Sequence, residues 1–147
     1  MMTDQGTRSL VIERELPFPA DRVWRALTDP VLLAEWLMAN DFVAQVGHRF
    51  NFRAAPQPHW NGVTDCEVLA LEPGRRIAYR WDPTGADAAS GLRTVVTWTL
   101  TPTPRGVMLR FEQSGFRPQD ERSVAGARYG WDRFLGGLER VAAGLDD

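Results

Sequence analysis

The sequence predicts an α+β fold in which a curved antiparallel sheet of about six to seven strands wraps around a long C-terminal helix, with two short helices after the first strand. Three observations predict it. Residues 124–145 (VAGARYGWDRFLGGLERVAAGL) hold the only long unbroken helical period. From Asp41 to Phe111 the apolar residues recur with period two between connections of hairpin length. Between the first alternating stretch and that region, Asp21 and the following VWRAL have helical spacing, and Asp29-Pro30 interrupts it.

The terminal helix comes first because it needs a partner. At 100° per residue, Val124, Ala127, Trp131, Phe134, Leu135, Leu138, Val141, Ala142 and Leu145 share about one third of the circumference. No second helix of that length is available, so the apolar face must be buried against a sheet. Gly126, Gly130, Gly137 and Gly144 fall on an adjacent edge. Each glycine inside a helix costs roughly 0.5–1 kcal/mol relative to alanine. A row of them therefore signals either the close approach of another backbone or space kept free beside the helix.

Before the helix, the chain reads as strands and turns. Residues 1–7 lack periodicity and are expected to be disordered, as are 146–147, around a single domain. Residues 9–16 alternate, with Leu10, Ile12 and Leu16 on one side. Arg14 falls on that apolar side, where it must reach solvent at a sheet end or a polar corner of a cavity. Residues 42–46 read as a short strand, followed by a strand carrying His48, Phe50 and Phe52 on one face. Trp60, Thr64, Cys66, Val68 and Ala70 form the next inner face, and Pro73-Gly74 marks a hairpin. Ile77, Tyr79 and Trp81, then Thr94, Val96, Trp98 and Leu100, then Val107, Leu109 and Phe111 supply the remaining inner faces. Residues 82–90 read as a loop and 117–122 as a polar linker. A curved sheet and a straight helix cannot touch along their full length, so this helix-grip arrangement encloses a cavity.

Composition excludes several classes. One cysteine, Cys66, rules out an intramolecular disulfide, and two histidines without a carboxylate at ligand spacing give no metal site. All 17 basic residues are arginines, dispersed along a chain of net charge −2, so no basic stripe exists for nucleic acid. No apolar run approaches a membrane span and no secretory pattern opens the chain, which makes a cytoplasmic protein without a membrane partner the expectation. No nucleophile–base motif, phosphate loop or dinucleotide fingerprint is present, and no cofactor is implied. Cys66, on an inner face without a basic neighbour, reads as a small buried hydrophobe. Asp65 and Glu67 share an outward face and read as solvated.

The rings are the informative set. Phe50, Phe52, Trp60, Tyr79, Trp81, Trp98, Phe111, Trp131 and Phe134 all fall on inner faces, more than a thin sheet-on-helix layer needs. They imply a pocket for an apolar or aromatic molecule, bordered also by Trp36, Leu135 and Leu138, with His48, Tyr79 or Arg14 orienting the ligand.

Three segments carry a family resemblance. PADRVWRALTDPVLLAEW (19–36), GVTDCEVLALEPGRRIAYRW (62–81) and YGWDRFLGGLERV (129–141) resemble, in order and spacing, the START-like, birch-pollen-allergen superfamily in its branch related to the activator of the heat-shock-protein-90 ATPase. Trp36-Leu37 stands where members often carry paired tryptophans, and Gly47-His48 where they often carry Gly-Gly. The resemblance implies a helix-grip fold. The fold hosts ligand carriers, cyclases and co-chaperone modules, so it leaves three functions open: non-catalytic binding of a small hydrophobic molecule, a protein-interaction module with a chaperone partner and a link to stress response, or a cyclase- or hydrolase-type enzyme. The first is preferred, in a monomer or weak homodimer, because no catalytic pair is visible.

Overall fold

The computed structural model describes residues 8–58, 61–84 and 92–145. His59, Trp60, the termini and most of the loop expected at 82–90 lie outside the described residues. The elements in chain order are β1 (Arg8–Leu16), α1 (Ala20–Thr28), α2 (Pro30–Trp36), β2 (Ala39–Asn40), β3 (Arg49–Arg53), β4 (Val63–Glu72), β5 (Arg76–Pro83), β6 (Thr94–Thr103), β7 (Gly106–Phe116) and α3 (Glu121–Ala143).

The strands form one seven-stranded antiparallel sheet in the order β1-β7-β6-β5-β4-β3-β2. From β2 to β7 it is a meander, which follows from hairpin-length connections, and β1 closes on β7. The alternation read from the sequence is the burial pattern observed: Leu10, Ile12, Leu16, Phe50, Phe52, Cys66, Val68, Ile77, Tyr79, Val96, Trp98, Leu100, Val107, Leu109 and Phe111 are all buried.

Two bulges bend the sheet. In β4 the register slips between Val68 and Ala70, which shifts the alternation by one residue and lets Leu71 pack against the core. In β7 the slip lies opposite Arg8 and Ser9, where Gly115 adopts φ +106° and a Cβ would stand 2.7 Å from the Arg93 carbonyl oxygen. The extra residue brings both Gln113 and Phe116 to the inner face, where both are buried.

Local chemistry accounts for the helices. The Asp29 carboxylate accepts from the backbone N–H groups of Val31 and Leu32 and caps α2, with Pro30 as its first residue. Where a polar linker was expected at 117–122, Pro118–Asp120 form a 3-10 turn and α3 starts at Glu121. The Arg117 guanidinium makes a bidentate pair with Asp120, Nε to Oδ2 at 2.8 Å and Nη2 to Oδ1 at 2.9 Å, and the Arg117 backbone N–H adds a third bond. This box sets the direction in which α3 enters.

Three expectations change. The strand expected at 42–46 is a bend: the short strand is Ala39–Asn40, and Phe42 packs edge-on to Phe50 with ring centroids 5.2 Å apart. Arg14, partly exposed on the edge strand β1, does not enter a cavity corner. It crosses to α3 and binds Glu139 at 2.7 Å and Asp132 at 3.2 Å. Those carboxylates, one above the other on the helix, convert the odd charge of β1 into a tie between the first strand and the last helix. Finally, α3 does not lie on the sheet alone. Its C-terminal part packs against α1 and α2, and its buried residues are Trp131, Leu135, Gly137, Leu138 and Ala142.

Two buried indoles find acceptors within the core. The Trp36 indole donates to the Ala26 carbonyl at 2.8 Å, and the Trp98 indole donates to the Tyr79 hydroxyl at 2.8 Å. Both Tyr79 and Trp98 are almost wholly buried. Replacing Tyr79 by Phe would leave the Trp98 N–H without its acceptor in an apolar surround, at a cost of about 1–3 kcal/mol. Urea denaturation should show that loss with the m-value unchanged; an unaltered midpoint would mean that the bond contributes nothing.

Candidate functional site

In residues 121–130, the first part of α3, no residue is buried. The helix is tied down at its start by the Arg117–Asp120 box and from Trp131 onward by the core, and between these points it stands clear of the sheet. A cavity of about 530 Å³ lies beneath it, within the size range of small-molecule sites. Ser123, Gly126, Ala127, Gly130, Trp131 and Phe134 of α3 form its roof. Thr64, Trp81, Pro83, Gln113 and Phe116 form its floor on the inner sheet face, and Leu37, Met38, Ala54 and Leu92 its rim.

The glycine edge divides at this point. A Cβ added at Gly126 or Gly130 would meet nothing within 4 Å, so these two keep space open beside the helix. At Gly137 the added Cβ would lie 3.2 Å from the Trp36 Cβ and 3.5 Å from its carbonyl oxygen. There the missing side chain lets α2 approach. Gly144 is the C-cap of α3 and serves neither purpose. Both alternatives read from the stripe are therefore realised, at different glycines.

Trp131 stands where cavity and core meet. Its ring centroid is 4.9 Å from Trp81, 4.4 Å from Phe111, 5.7 Å from Trp98 and 5.6 Å from Phe134. Its indole N–H donates to Gln113 Oε1 at 2.9 Å, Gln113 Nε2 donates to Thr94 Oγ1 at 3.0 Å, and Thr94 Oγ1 donates to the Trp81 carbonyl at 2.6 Å. This polar chain runs under an otherwise apolar wall. Thr64 is also buried at the cavity, and its hydroxyl has no side-chain hydrogen bond among the described residues.

Of the ring and aliphatic residues expected to border a ligand, Trp81, Trp131 and Phe134 line the cavity. Trp36, Phe50, Phe52, Tyr79, Trp98, Phe111, Leu135 and Leu138 are core residues outside the lining. Period two assigns a face but not a depth, and the descent of α3 onto the sheet at Trp131 leaves no room beyond that ring. Tyr79 is held by Trp98, Arg14 by α3, and neither faces the cavity. His48 lies away from it, half-buried, with Nε2 3.0 Å from the Asp41 carbonyl oxygen and its ring stacked on Phe50 at 6.1 Å. Trp60 lies outside the described residues. Gln113 was missed because the inner face of β7 was followed only to Phe111; one more step of the same period reaches it.

Cys66 does not face the cavity. It is buried, its Sγ is 3.7 Å from the Thr64 carbonyl oxygen, and burial first, then the nearby carboxylates of Asp82, Asp65 and Asp41, push its thiol well above the ordinary range. The native protein should therefore resist Ellman's reagent at pH 8 and react fully only after unfolding; rapid native labelling would contradict this placement.

A second, polar groove of about 370 Å³ is bordered by the outward-facing Asp41, Arg49, Asn51, Asp65, Glu67, Arg80 and Asp82, with Phe50 and the buried Cys66 also in its lining. Glu67 stands between Arg49 at 3.8 Å and Arg80 at 3.9 Å, so the Asp65 and Glu67 pair faces outward among arginines. Burial raises the Asp82 carboxyl above its ordinary value, against the opposing bond from the Thr94 N–H. Among the described residues no group of three or more His, Cys, Asp or Glu could hold a metal ion, and no helix is long and apolar enough to cross a membrane.

A seven-stranded curved sheet around a long C-terminal helix, with a cavity between them, defines a START-like helix-grip protein. Within that superfamily the chain belongs to the family described as activator of Hsp90 ATPase homolog 1-like protein, which it matches over residues 17–143. The structure of protein MLL2253 from Mesorhizobium loti is similar at 51% identity and TM-score 0.86, covering 95% of this chain and all of that one. Protein CV1439 from Chromobacterium violaceum is similar at 26% identity and TM-score 0.72, covering 91% and 96%. DynU16, from the dynemicin biosynthetic locus, shares 28% identity at TM-score 0.75; the match takes 92% of this chain but only 47% of DynU16, so this chain spans about half its length. No curated protein matched the chain.

Proposed function

We propose that this protein binds a small hydrophobic or aromatic molecule, without transforming it, in the cavity between the first part of α3 and the sheet. The observation that carries this reading is the pair Gly126 and Gly130, which keep open the roof of a cavity of about 530 Å³. A helix that needed only to pack would gain stability from alanine at both positions. The walls are chiefly apolar, with Trp81, Trp131, Phe116 and Leu92 offering surface to a flat molecule. Similarity to a protein from a biosynthetic locus is in keeping with a small-molecule ligand. The cavity wall offers no nucleophile paired with a base among the described residues, which favours binding over turnover.

Two indoles at the cavity make the test direct. Aromatic compounds of two or three fused rings should change tryptophan fluorescence saturably and raise the melting temperature by mass action, by about 2.7 kcal/mol of stabilisation at one hundred times Kd. A broad apolar library that produced neither response would contradict the reading.

A further inference from the structure

We infer that one amide N–H of Gln113 is the polar anchor of the cavity, so that the ligand it selects carries a hydrogen-bond acceptor, a carbonyl or ether oxygen, on a ring-bearing apolar frame. This rests on the binding reading above and adds to it the chemistry of the ligand's polar group.

The direction of every bond around Gln113 is forced. The Trp131 indole N–H can only donate, so the atom facing it at 2.9 Å is Gln113 Oε1. The amide nitrogen then faces Thr94 Oγ1 at 3.0 Å. Thr94 has a single hydroxyl hydrogen, committed to the Trp81 carbonyl at 2.6 Å, and so accepts from the amide. Of the two amide hydrogens of Gln113, Thr94 takes one. The other has no acceptor among the described residues, on a side chain only 3% exposed that borders the cavity. Burial of an N–H without a partner is unfavourable, and an incoming oxygen would relieve it. Because Trp131 of α3 and Thr94 of β6 hold the amide from two sides, and Thr94 is itself fixed on the Trp81 carbonyl, the donor is already oriented before a ligand arrives.

Two other polar side chains line the cavity: Ser123, half-buried on the roof, and Thr64, only 2% exposed on the floor. Each hydroxyl is a rotor that can donate or accept, so neither imposes a preference of sign. Thr64 stands on β4, three strands from β7, about 14 Å across the sheet, and four residues along β4 from Val68, the residue in register with Gln113. One small acceptor cannot serve both Gln113 and Thr64. A site with a fixed donor discriminates against an analogue that lacks the acceptor far more sharply than an apolar wall discriminates by size.

The matched probes are 9-fluorenone and fluorene, which share a three-ring frame and differ by one carbonyl. Equilibrium dialysis measures both Kd values for the wild type, Gln113→Met and Thr64→Val, and the ratio within each protein cancels any loss of folded fraction. Gln113→Met should shift that ratio toward fluorene by about five- to tenfold relative to the wild type, the effect of one hydrogen bond. Thr64→Val should leave it within about twofold. If Gln113→Met does not fold, Gln113→Glu keeps the shape and, when ionised, offers acceptors only, so it should move the ratio the same way. A ratio unchanged in the Gln113 variants, or abolished by Thr64→Val instead, overturns the anchor while leaving the cavity reading intact. Failure of the wild type to bind either probe overturns the cavity reading itself.

Discussion

Gly137→Leu is expected to lower the stability of the fold by about 3 kcal/mol, whereas Gly130→Leu should leave it unchanged or slightly higher and abolish small-molecule binding. Both residues lie on one edge of one helix, and sequence alone treats them alike. Their surroundings do not. At Gly137 even a Cβ would stand 3.2 Å from that of Trp36. Trp36 cannot step aside, since its indole is bonded to the Ala26 carbonyl at 2.8 Å and its ring lies edge-on to Trp98 at 5.8 Å. A leucine there must separate α2 from α3. At Gly130 the added side chain enters empty space, gains roughly 0.5–1 kcal/mol of helix propensity and occupies the roof of the cavity. For a chain of this size the Gly137 loss corresponds to a fall of about 6–12 °C in melting temperature. Circular dichroism melts of the two variants, with a binding isotherm for Gly130→Leu, check this. Equal losses of stability would mean that both glycines serve packing.

Trp131→Ala should be more damaging still, at about 3–5 kcal/mol. Trp131 is 3% exposed and is the first buried residue of α3, the point at which the helix meets the rings of the sheet. Its removal deletes ring contacts to Trp81, Trp98, Phe111 and Phe134 and strands the Gln113 carbonyl oxygen that accepts its indole N–H. Phe134 lies one turn further along and is only half-buried, so Phe134→Ala should cost about 1 kcal/mol. Guanidinium denaturation of both variants measures the difference. Similar losses would place the junction between helix and sheet elsewhere along α3.

The helix-grip architecture was legible because burial on one side of a sheet leaves a period of two and burial of one side of a helix leaves a period of 3.6. Phe50 and Phe52, Ile77 and Tyr79, and Val107, Leu109 and Phe111 show the first; Trp131, Leu135, Leu138 and Ala142 show the second. What periodicity does not carry is depth. It placed Phe111 and Trp131 on inner faces, but not that one lies beneath the other, so it assigned to the cavity rings that are buried under it. Bulges were equally invisible. The insertion at Gly115 brings Phe116 to the same face as Gln113, and no alternation rule anticipates that. Arg14 was visible as an anomaly, yet its partners Asp132 and Glu139 are more than a hundred residues away in sequence. The glycine edge pointed to the cavity, as did Trp81, Trp131 and Phe134 among the rings, and its two meanings separated only when Trp36 was seen against Gly137.

The central claim, that a small apolar molecule occupies the space under the first part of α3, is tested most directly by a 15N–1H correlation titration with 9-fluorenone. The account predicts saturable shifts confined to the amides of residues 123–131, of Trp81 and of Gln113, to the indole N–H groups of Trp81 and Trp131, and to the Gln113 side-chain amide. Shifts that fail to saturate, or that gather on the outer groove around Asp65 and Arg80, would contradict it.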